Sequence, residues 1–382
     1  MDANVAVIGL GTMGSMAAWQ LSSRGVSVIG FEQFGIGHDR SAHAGGSRRF
    51  SVASNSSKEI PFKKESYRKF RDLERETGQK ILSSGGTLTI GHPESERIKD
   101  VLANIKRYEL PHEIIEEDEA IKRYPMHRLL PGEIMVLDKL GGVLRPEQTV
   151  ITAVNRARKL GAKIYSHTPI KDIKSDSSGV DITTEKGETY KVNKVVVTTG
   201  PWANKLFPDH LNDVFTVQRR LMTWFIPESP ELFHENKFPN FGRTSDGISL
   251  VGAPNVDGRL VRINDRTTTA ENVAKVEMTD ADKLCKNVSL DELKAVRESV
   301  KRFLPNLNPD PVNAQAFMDG FTSDGLPIVG SLKDNNNIIL VCGFSARGFS
   351  QAPVMGEIAA DLVINEKTNY SIDHISPKRF SL

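Results

Sequence analysis

The chain opens with Val5-Ala6-Val7-Ile8-Gly9-Leu10-Gly11-Thr12-Met13-Gly14-Ser15-Met16-Ala17-Ala18-Trp19-Gln20-Leu21. Val5 to Ile8 is a short, wholly apolar run, the composition of a strand buried on both faces. From Thr12 to Ser23 the apolar residues Met13, Met16, Ala17 and Leu21 recur at helical spacing. Between the two lies the pattern GxGxxG. The first glycine suits a tight turn, the second lets a pyrophosphate approach the backbone, and the third lets the helix pack on the strand. The helix start then offers free N–H groups and a partial positive charge to phosphates. A second apolar run, Val26 to Phe31, ends at Glu32, 18 residues past Gly14. That is where an acid accepts hydrogen bonds from a ribose diol. A lone GxGxxG is weak and is also found in glycine-rich turns of other α/β proteins. Strand, glycines, helix, strand and acid in succession predict dinucleotide binding. The acid disfavours NADP and leaves both NAD and FAD open.

The 382 residues suffice for a sizeable core and two domains. The hydrophobic fraction of 38% and charged fraction of 26% are those of an ordinary globular protein. A net charge of +2 without a long basic run argues against nucleic acid as a partner. Cys285 and Cys342 are far apart and form no CxxC pair, so reduced thiols are expected, and the nine histidines show no ligand spacing, so no metal is expected. With no leader-like segment and no apolar stretch of membrane-spanning length, the expectation is a cytoplasmic protein with no membrane partner.

Further along, residues 58–77, 95–108, 117–124, 147–160, 289–304 and 349–363 read as helices. Ser289 and Glu292 form a capping box ahead of the apolar stripe Leu293, Val296, Val300 and Phe303, which reads as core packing. Residues 86–91, 161–165 and 338–341 read as strands, as does the region 214–264. From Gly179 to Thr198 the pattern turns to short alternating strands with a turn at Glu185-Lys186-Gly187-Glu188. A β-meander after the nucleotide unit, closed by Thr198-Thr199-Gly200, suits an FAD fold, in which the chain leaves the nucleotide domain, builds a second sheet and returns. It does not suit a simple NAD-dependent dehydrogenase.

The same residues carry a resemblance. Gly9 to Gly14 with Glu32, Thr199-Gly200-Pro201-Trp202, Asp324-Gly325-Leu326-Pro327-Ile328-Val329-Gly330 and Gly343-Phe344-Ser345-Ala346-Arg347-Gly348-Phe349 resemble the FAD-dependent D-amino-acid-oxidase superfamily. Within it the chain is similar to the monomeric sarcosine oxidase and N-methyl-L-tryptophan oxidase family. Ser41 to Arg48 is similar to that family's flavin-contacting loop, and the stretch from Met355 to Phe380 to its N-methyltryptophan members. The resemblance covers nearly the whole chain and is weakest between about 210 and 315. It implies an α/β protein: an FAD-binding Rossmann-like domain from residues 1–85, 142–212 and 318–382, interleaved with an α+β substrate domain on an antiparallel sheet from 86–141 and 213–317.

The activity implied is oxidation of the C–N bond of an N-substituted (N-methyl type) amino acid. The imine hydrolyses to amine and aldehyde, and dioxygen reoxidises the flavin to give hydrogen peroxide. FAD supplies the redox chemistry, while the protein supplies orientation and electrostatics. By the resemblance, FAD is held by Gly9, Gly11, Thr12, Met13, Gly14, Glu32, Gln33, His43, Gly46, Ser47, Arg48, Ile170, Thr199, Gly200, Trp202, Gly343, Ser345, Arg347, Gly348 and Phe349. Arg48 matches an arginine near the flavin ring, where a fixed cation stabilises developing negative charge.

Three departures from the family pattern matter. Phe317 stands where the family tethers FAD through cysteine, so non-covalent FAD is expected. Arg262 stands near the family's oxygen-activating lysine; it is cationic but cannot release its proton. The carboxylate-binding positions become Ser51, Arg347 and Ser350, leaving Arg347 as the candidate that grips a substrate carboxylate in a bidentate fork, against a plain loop contact to backbone carbonyls. Arg48, Arg262 and Arg347 are thus the expected catalytic group. The partner is a small amino-acid-derived molecule and the chain is expected to be a monomer. Alternatives are a deglycating fructosyl-amino-acid oxidase, an FAD amine dehydrogenase with another electron acceptor, an NAD-dependent dehydrogenase and a flavin-binding module without catalysis.

Overall fold

A computed structural model describes residues 1–267 and 277–382. Two eight-stranded sheets and a two-stranded ribbon organise them. The strands are β1 (Ala3–Ile8), β2 (Val28–Phe31), β3 (Arg48–Phe50), β4 (Thr87–Gly91), β5 (His112–Ile115), β6 (Ile134–Asp138), β7 (Gly142–Leu144), β8 (Lys163–Tyr165), β9 (Ile170–Asp176), β10 (Gly179–Thr184), β11 (Thr189–Val197), β12 (Phe215–Phe225), β13 (Asn240–Ser245), β14 (Ile248–Ala253), β15 (Val261–Asp265), β16 (Asn313–Thr322), β17 (Ile328–Leu332) and β18 (Asn335–Cys342). The longer helices are α1 (Thr12–Ser23), α2 (Ile60–Thr77), α3 (Glu96–Arg107), α4 (Glu117–Arg123), α5 (Pro146–Lys159), α6 (Leu290–Phe303) and α7 (Ala352–Asn365).

The first sheet runs β17-β18-β11-β1-β2-β8. β1 is parallel to β2 and β11, and β11 is parallel to β18. Antiparallel β9 and β10 extend from β11, which makes the meander foreseen from residues 179–198 one strand longer. Alternation along β1 sends Val5 and Val7 into a core with α1, α5 and α7, while Ala6 and Ile8 face the opposite core. α1 is buried nearly all round because it lies between α5 and α7, so its apolar residues form no single stripe.

The second sheet runs β16-β12-β15-β14-β13-β4-β6-β5 and is antiparallel except for β13 against β4. Its two faces differ. Phe225, Val261, Ile263, Phe241 and Leu88 share one face and form an apolar core with α6. The Ser289–Glu292 capping box starts α6 as its sequence foretold. The other face carries Arg220, Met222 and Trp224 on β12, opposite Phe317 on β16 and Arg262 on β15. That polar face looks toward the ribbon of β3 and β7. Among the described residues no helix is long and apolar enough to cross a membrane.

Candidate FAD and substrate site

The turn between β1 and α1 is built by crowding. Gly9 adopts φ +83°, and a Cβ on Gly14 would lie 1.9 Å from the Gly9 carbonyl oxygen and 2.5 Å from Thr198 Oγ1. Thr198 clamps the turn by donating its hydroxyl to Ile8 O at 2.9 Å and Gly9 O at 2.6 Å. α1 therefore starts hard against the ends of β1 and β11. Gly11 is its N-cap, with no side-chain cap and no acid in the first turn. The helix start keeps its free N–H groups and its partial positive charge. Glu32, at the end of β2, is buried: Oε2 accepts from Leu10 N at 2.9 Å and Oε1 from Phe34 N at 3.0 Å. Each carboxylate oxygen keeps further lone-pair capacity.

A cavity of about 330 Å³ runs from this turn along the ends of β1, β11 and β18 to β16. Of the residues expected at the cofactor, Gly9, Gly11, Thr12, Met13, Glu32, Gln33, His43, Arg48, Ile170, Thr199, Gly200, Trp202, Gly343, Gly348 and Phe349 line it. Five others lie off its wall. Gly14 packs the turn from behind. Gly46 is exposed and donates its N–H to Glu147 Oε1 at 3.1 Å. Ser47 is buried and its Oγ accepts from Arg262 Nε at 2.9 Å. Ser345 bonds within the loop, its hydroxyl reaching Gly343 O at 3.4 Å.

The fifth is Arg347. Its side chain is 52% exposed, Nη2 donates to Gly325 O at 2.6 Å and Nη1 lies 3.8 Å from Glu59. Ser345 and Ala346 take left-handed backbone (φ +49° and +62°), which carries residue 347 round to the outside. The expected bidentate carboxylate grip is thus not formed on the cavity, and Arg347 makes the loop contact that was its plain alternative.

Arg48 does reach the wall. Its guanidinium donates to Ala42 O (2.7 Å), Ala44 O (2.6 Å) and Ser47 O (2.8 Å), which holds it rigidly. Burial, together with Arg266, pulls its pKa down to about 10, against the pull of Glu147 and Asp319. Arg262 is 3% exposed and burial, then Arg48 and Arg266, hold it well below the ordinary arginine value. Both remain charged at neutral pH. His43 is held down to about 3 by burial and by His38 and Arg48, so its imidazole is neutral. Its Nδ1 is engaged by the Ser41 hydroxyl, while Nε2 is buried without a partner among the described residues.

Sequence reasoning missed Asp319. It lies two residues beyond Phe317 on β16 and so shares its face, a period-two signal available in Ala316-Phe317-Met318-Asp319-Gly320. It lines the cavity, accepts Gly320 N–H at 2.8 Å, and burial pushes its carboxyl up to about 6 against the pull of Arg48 and Arg220. Phe317 is buried among Ala44, Met222 and Trp224. Cys342 lines the cavity, but burial pushes its thiol up to about 12, which leaves it protonated and unreactive. Among the described residues no group of His, Cys, Asp or Glu is gathered to hold a metal ion.

These features fit FAD. The uncapped helix start is suited to a pyrophosphate and Glu32 to ribose hydroxyls, and His43 Nε2 and Thr199 Oγ1 are buried with no partner among the described residues. Comparison with known proteins points the same way. The chain is 30% identical over 383 residues to the monomeric sarcosine oxidase of Streptomyces avermitilis, covering 99% of this chain and 98% of that one. It is 26% identical to the N-methyl-L-tryptophan oxidase of Yersinia pestis (strain Pestoides F) over the full length of both. The fold is similar to that of NikD, an amino acid oxidase of nikkomycin biosynthesis, with a TM-score of 0.84 at 19% identity, covering 98% of this chain and 97% of that one. Residues 4–362 match the family described as FAD dependent oxidoreductase, DAO. The chain belongs to that family, as an FAD-dependent enzyme of amino-acid oxidation with sarcosine oxidase and N-methyl-L-tryptophan oxidase among its relatives.

Proposed function

We propose that the protein oxidises the C–N bond of an N-substituted amino acid of the N-methyl type. The products are an imine, hydrolysed to amine and aldehyde, and hydrogen peroxide from dioxygen. The observation that carries this reading is the continuity of one cavity from the Gly9–Gly14 turn and Glu32 to Arg48 and Asp319. FAD, when bound, supplies the two-electron acceptor.

In this reading the start of α1 holds the pyrophosphate, Glu32 the ribose, and Thr199 and His43 further polar groups of the cofactor. Arg48, immobilised by three carbonyls, presents fixed positive charge where negative charge develops, at no cost in reorganisation. Arg262, anchored on Ser47, adds a second cation. Asp319 accepts the proton that a substrate ammonium must lose before its nitrogen lone pair is available. The cofactor is held without a covalent bond, since Phe317 forms no thioether and the Cys342 thiol is protonated.

A second reading, an FAD amine dehydrogenase, rests on Arg262: a guanidinium does not give up its proton as an ammonium does, so the electrons pass to an acceptor other than dioxygen. Both readings are tested on the purified holoenzyme. Acid precipitation is expected to release yellow flavin into the supernatant, and anaerobic addition of one N-methyl amino acid to bleach the visible absorbance. Peroxide on readmission of air supports the oxidase, and reoxidation only by an added dye supports the dehydrogenase. Failure of every N-methyl and N-fructosyl amino acid to bleach the flavin overturns both.

A further inference from the structure

The arginines of the second sheet divide by face. On the apolar face Arg219 pairs with Glu277 and Glu292, and Arg243 with Glu133. The polar face has a different arrangement. Arg220 and Arg262 project from β12 and β15, and Arg266 continues the alternation of β15, its N–H donating to Ser249 O at 2.7 Å. Arg48 and Arg49 approach from β3 and Arg97 from α3. Among the described residues none of these six guanidinium groups forms an ion pair with a carboxylate, and Nε of Arg49, Arg97 and Arg220 is buried without any hydrogen-bond partner. Gly242 on β13 makes room for two of them: a Cβ there would lie 3.2 Å from Arg97 Nη2 and 3.6 Å from Arg49 Cζ.

Among the described residues the nearby acids are engaged elsewhere, Glu59 by Lys63 at 2.7 Å. Asp138 Oδ2 accepts from Val52 N (2.7 Å), Ala53 N (2.9 Å) and Ser51 Oγ (2.9 Å). Glu147 Oε1 accepts from Gly45 N (2.8 Å) and Gly46 N (3.1 Å). Asp319 accepts from Gly320 N. Arg48, Arg49, Arg97, Arg220 and Arg266 are all held below the ordinary arginine value, chiefly by burial, and each except Arg97 and Arg220 is also lowered by a neighbouring arginine. A cluster of mostly half-buried like charges, only Arg266 being exposed and none paired among the described residues, is costly to the fold, and one α-carboxylate neutralises only part of it.

From this we infer that the substrate is an N-substituted amino acid with a second acid group on its side chain. The α-carboxylate and the side-chain acid are shared among Arg49, Arg97, Arg220 and Arg266, leaving Arg48 and Arg262 to the reacting end. Guanidinium forks suit such planar anions. The inference rests on the amine-oxidation reading of the adjoining cavity, on whose wall Arg48 and Asp319 lie within electrostatic reach of Arg266 and Arg220.

The test is calorimetric titration of the FAD-loaded enzyme with two unreactive probes, glutarate and butyrate, at matched ionic strength. The dianion is expected to bind at least tenfold more tightly than the monoanion. In Arg220→Gln and Arg266→Gln, each checked for wild-type flavin content, that preference is expected to fall to threefold or less. Glutarate binding the wild type no better than butyrate overturns the inference. So does an unchanged preference in both variants. The underlying reading fails separately, by the absence of bleaching with any amine. If glutarate is preferred, N-methylglutamate is expected to bleach the flavin at a kcat/KM at least tenfold above sarcosine, and a reversed order also overturns the inference.

Discussion

Replacing Asp319 by asparagine separates charge from shape. The side chain is half-buried on the cavity wall at β16, and its carboxyl, ordinarily near 3.8, is pushed up to about 6, chiefly by burial. A raised value means that the folded state holds the proton more tightly than the unfolded chain. Stability from this group is therefore complete below about pH 4 and is lost as pH rises to about 6. At about 1.4 kcal/mol per pH unit the loss is about 3 kcal/mol, an upper bound because the carboxyl faces a cavity open to water. Asp319→Asn is neutral throughout, so it is expected to be more stable than the wild type at pH 7 by about 1–3 kcal/mol. The gain is expected to vanish at pH 4. Activity moves the other way. As proton acceptor, Asp319 must be ionised, so wild-type kcat/KM is expected to fall below about pH 6. The variant loses that limb together with a factor on the order of 10²–10⁴ in the rate of anaerobic flavin reduction. Urea unfolding at pH 4 and 7 and stopped-flow bleaching from pH 5 to 9 measure both. A variant that keeps wild-type rates and an acid limb near pH 6 refutes the role of Asp319, and one whose stability gain over wild type is no larger at pH 7 than at pH 4 refutes the burial argument.

Two further predictions concern cofactor and fold. Gly14→Ala places a methyl 1.9 Å from Gly9 O, and the overpacking is expected to weaken FAD binding about ten- to hundredfold, read by titrating FAD into the apoprotein. Arg243 is 1% exposed, paired with Glu133 and stacked 3.9 Å from the Phe303 ring centroid. Arg243→Met leaves the Glu133 charge buried and is expected to cost about 3–5 kcal/mol in urea unfolding, and the double change Arg243→Met with Glu133→Gln less than the two single changes together.

Local order in the chain was enough for the β1–α1–β2 unit. Val5 to Glu32 contains strand, turn, helix, strand and acid within 28 residues, and each part is dictated by its neighbours: crowding at Gly9 and Gly14, an uncapped helix start at Gly11, an acid at a strand end. The alternation of residues 179–198 and the capping box at Ser289 were legible for the same reason, since both rest on contacts a few residues apart. The polar face of the second sheet was not. Which arginines meet depends on pairing β12 with β15 and β16, whose register partners lie as far apart as Phe215 and Thr322, and on a β3 ribbon packed against them. A strand pattern says that Arg219 and Arg220 point opposite ways, but not which of them finds a glutamate. Arg347 shows the limit most plainly: its motif marks the loop beside the cavity, while two left-handed residues before it turn its side chain outward. Asp319 shows the converse, a carboxylate unremarked in sequence that acquires a raised pKa only because tertiary packing removes it from water.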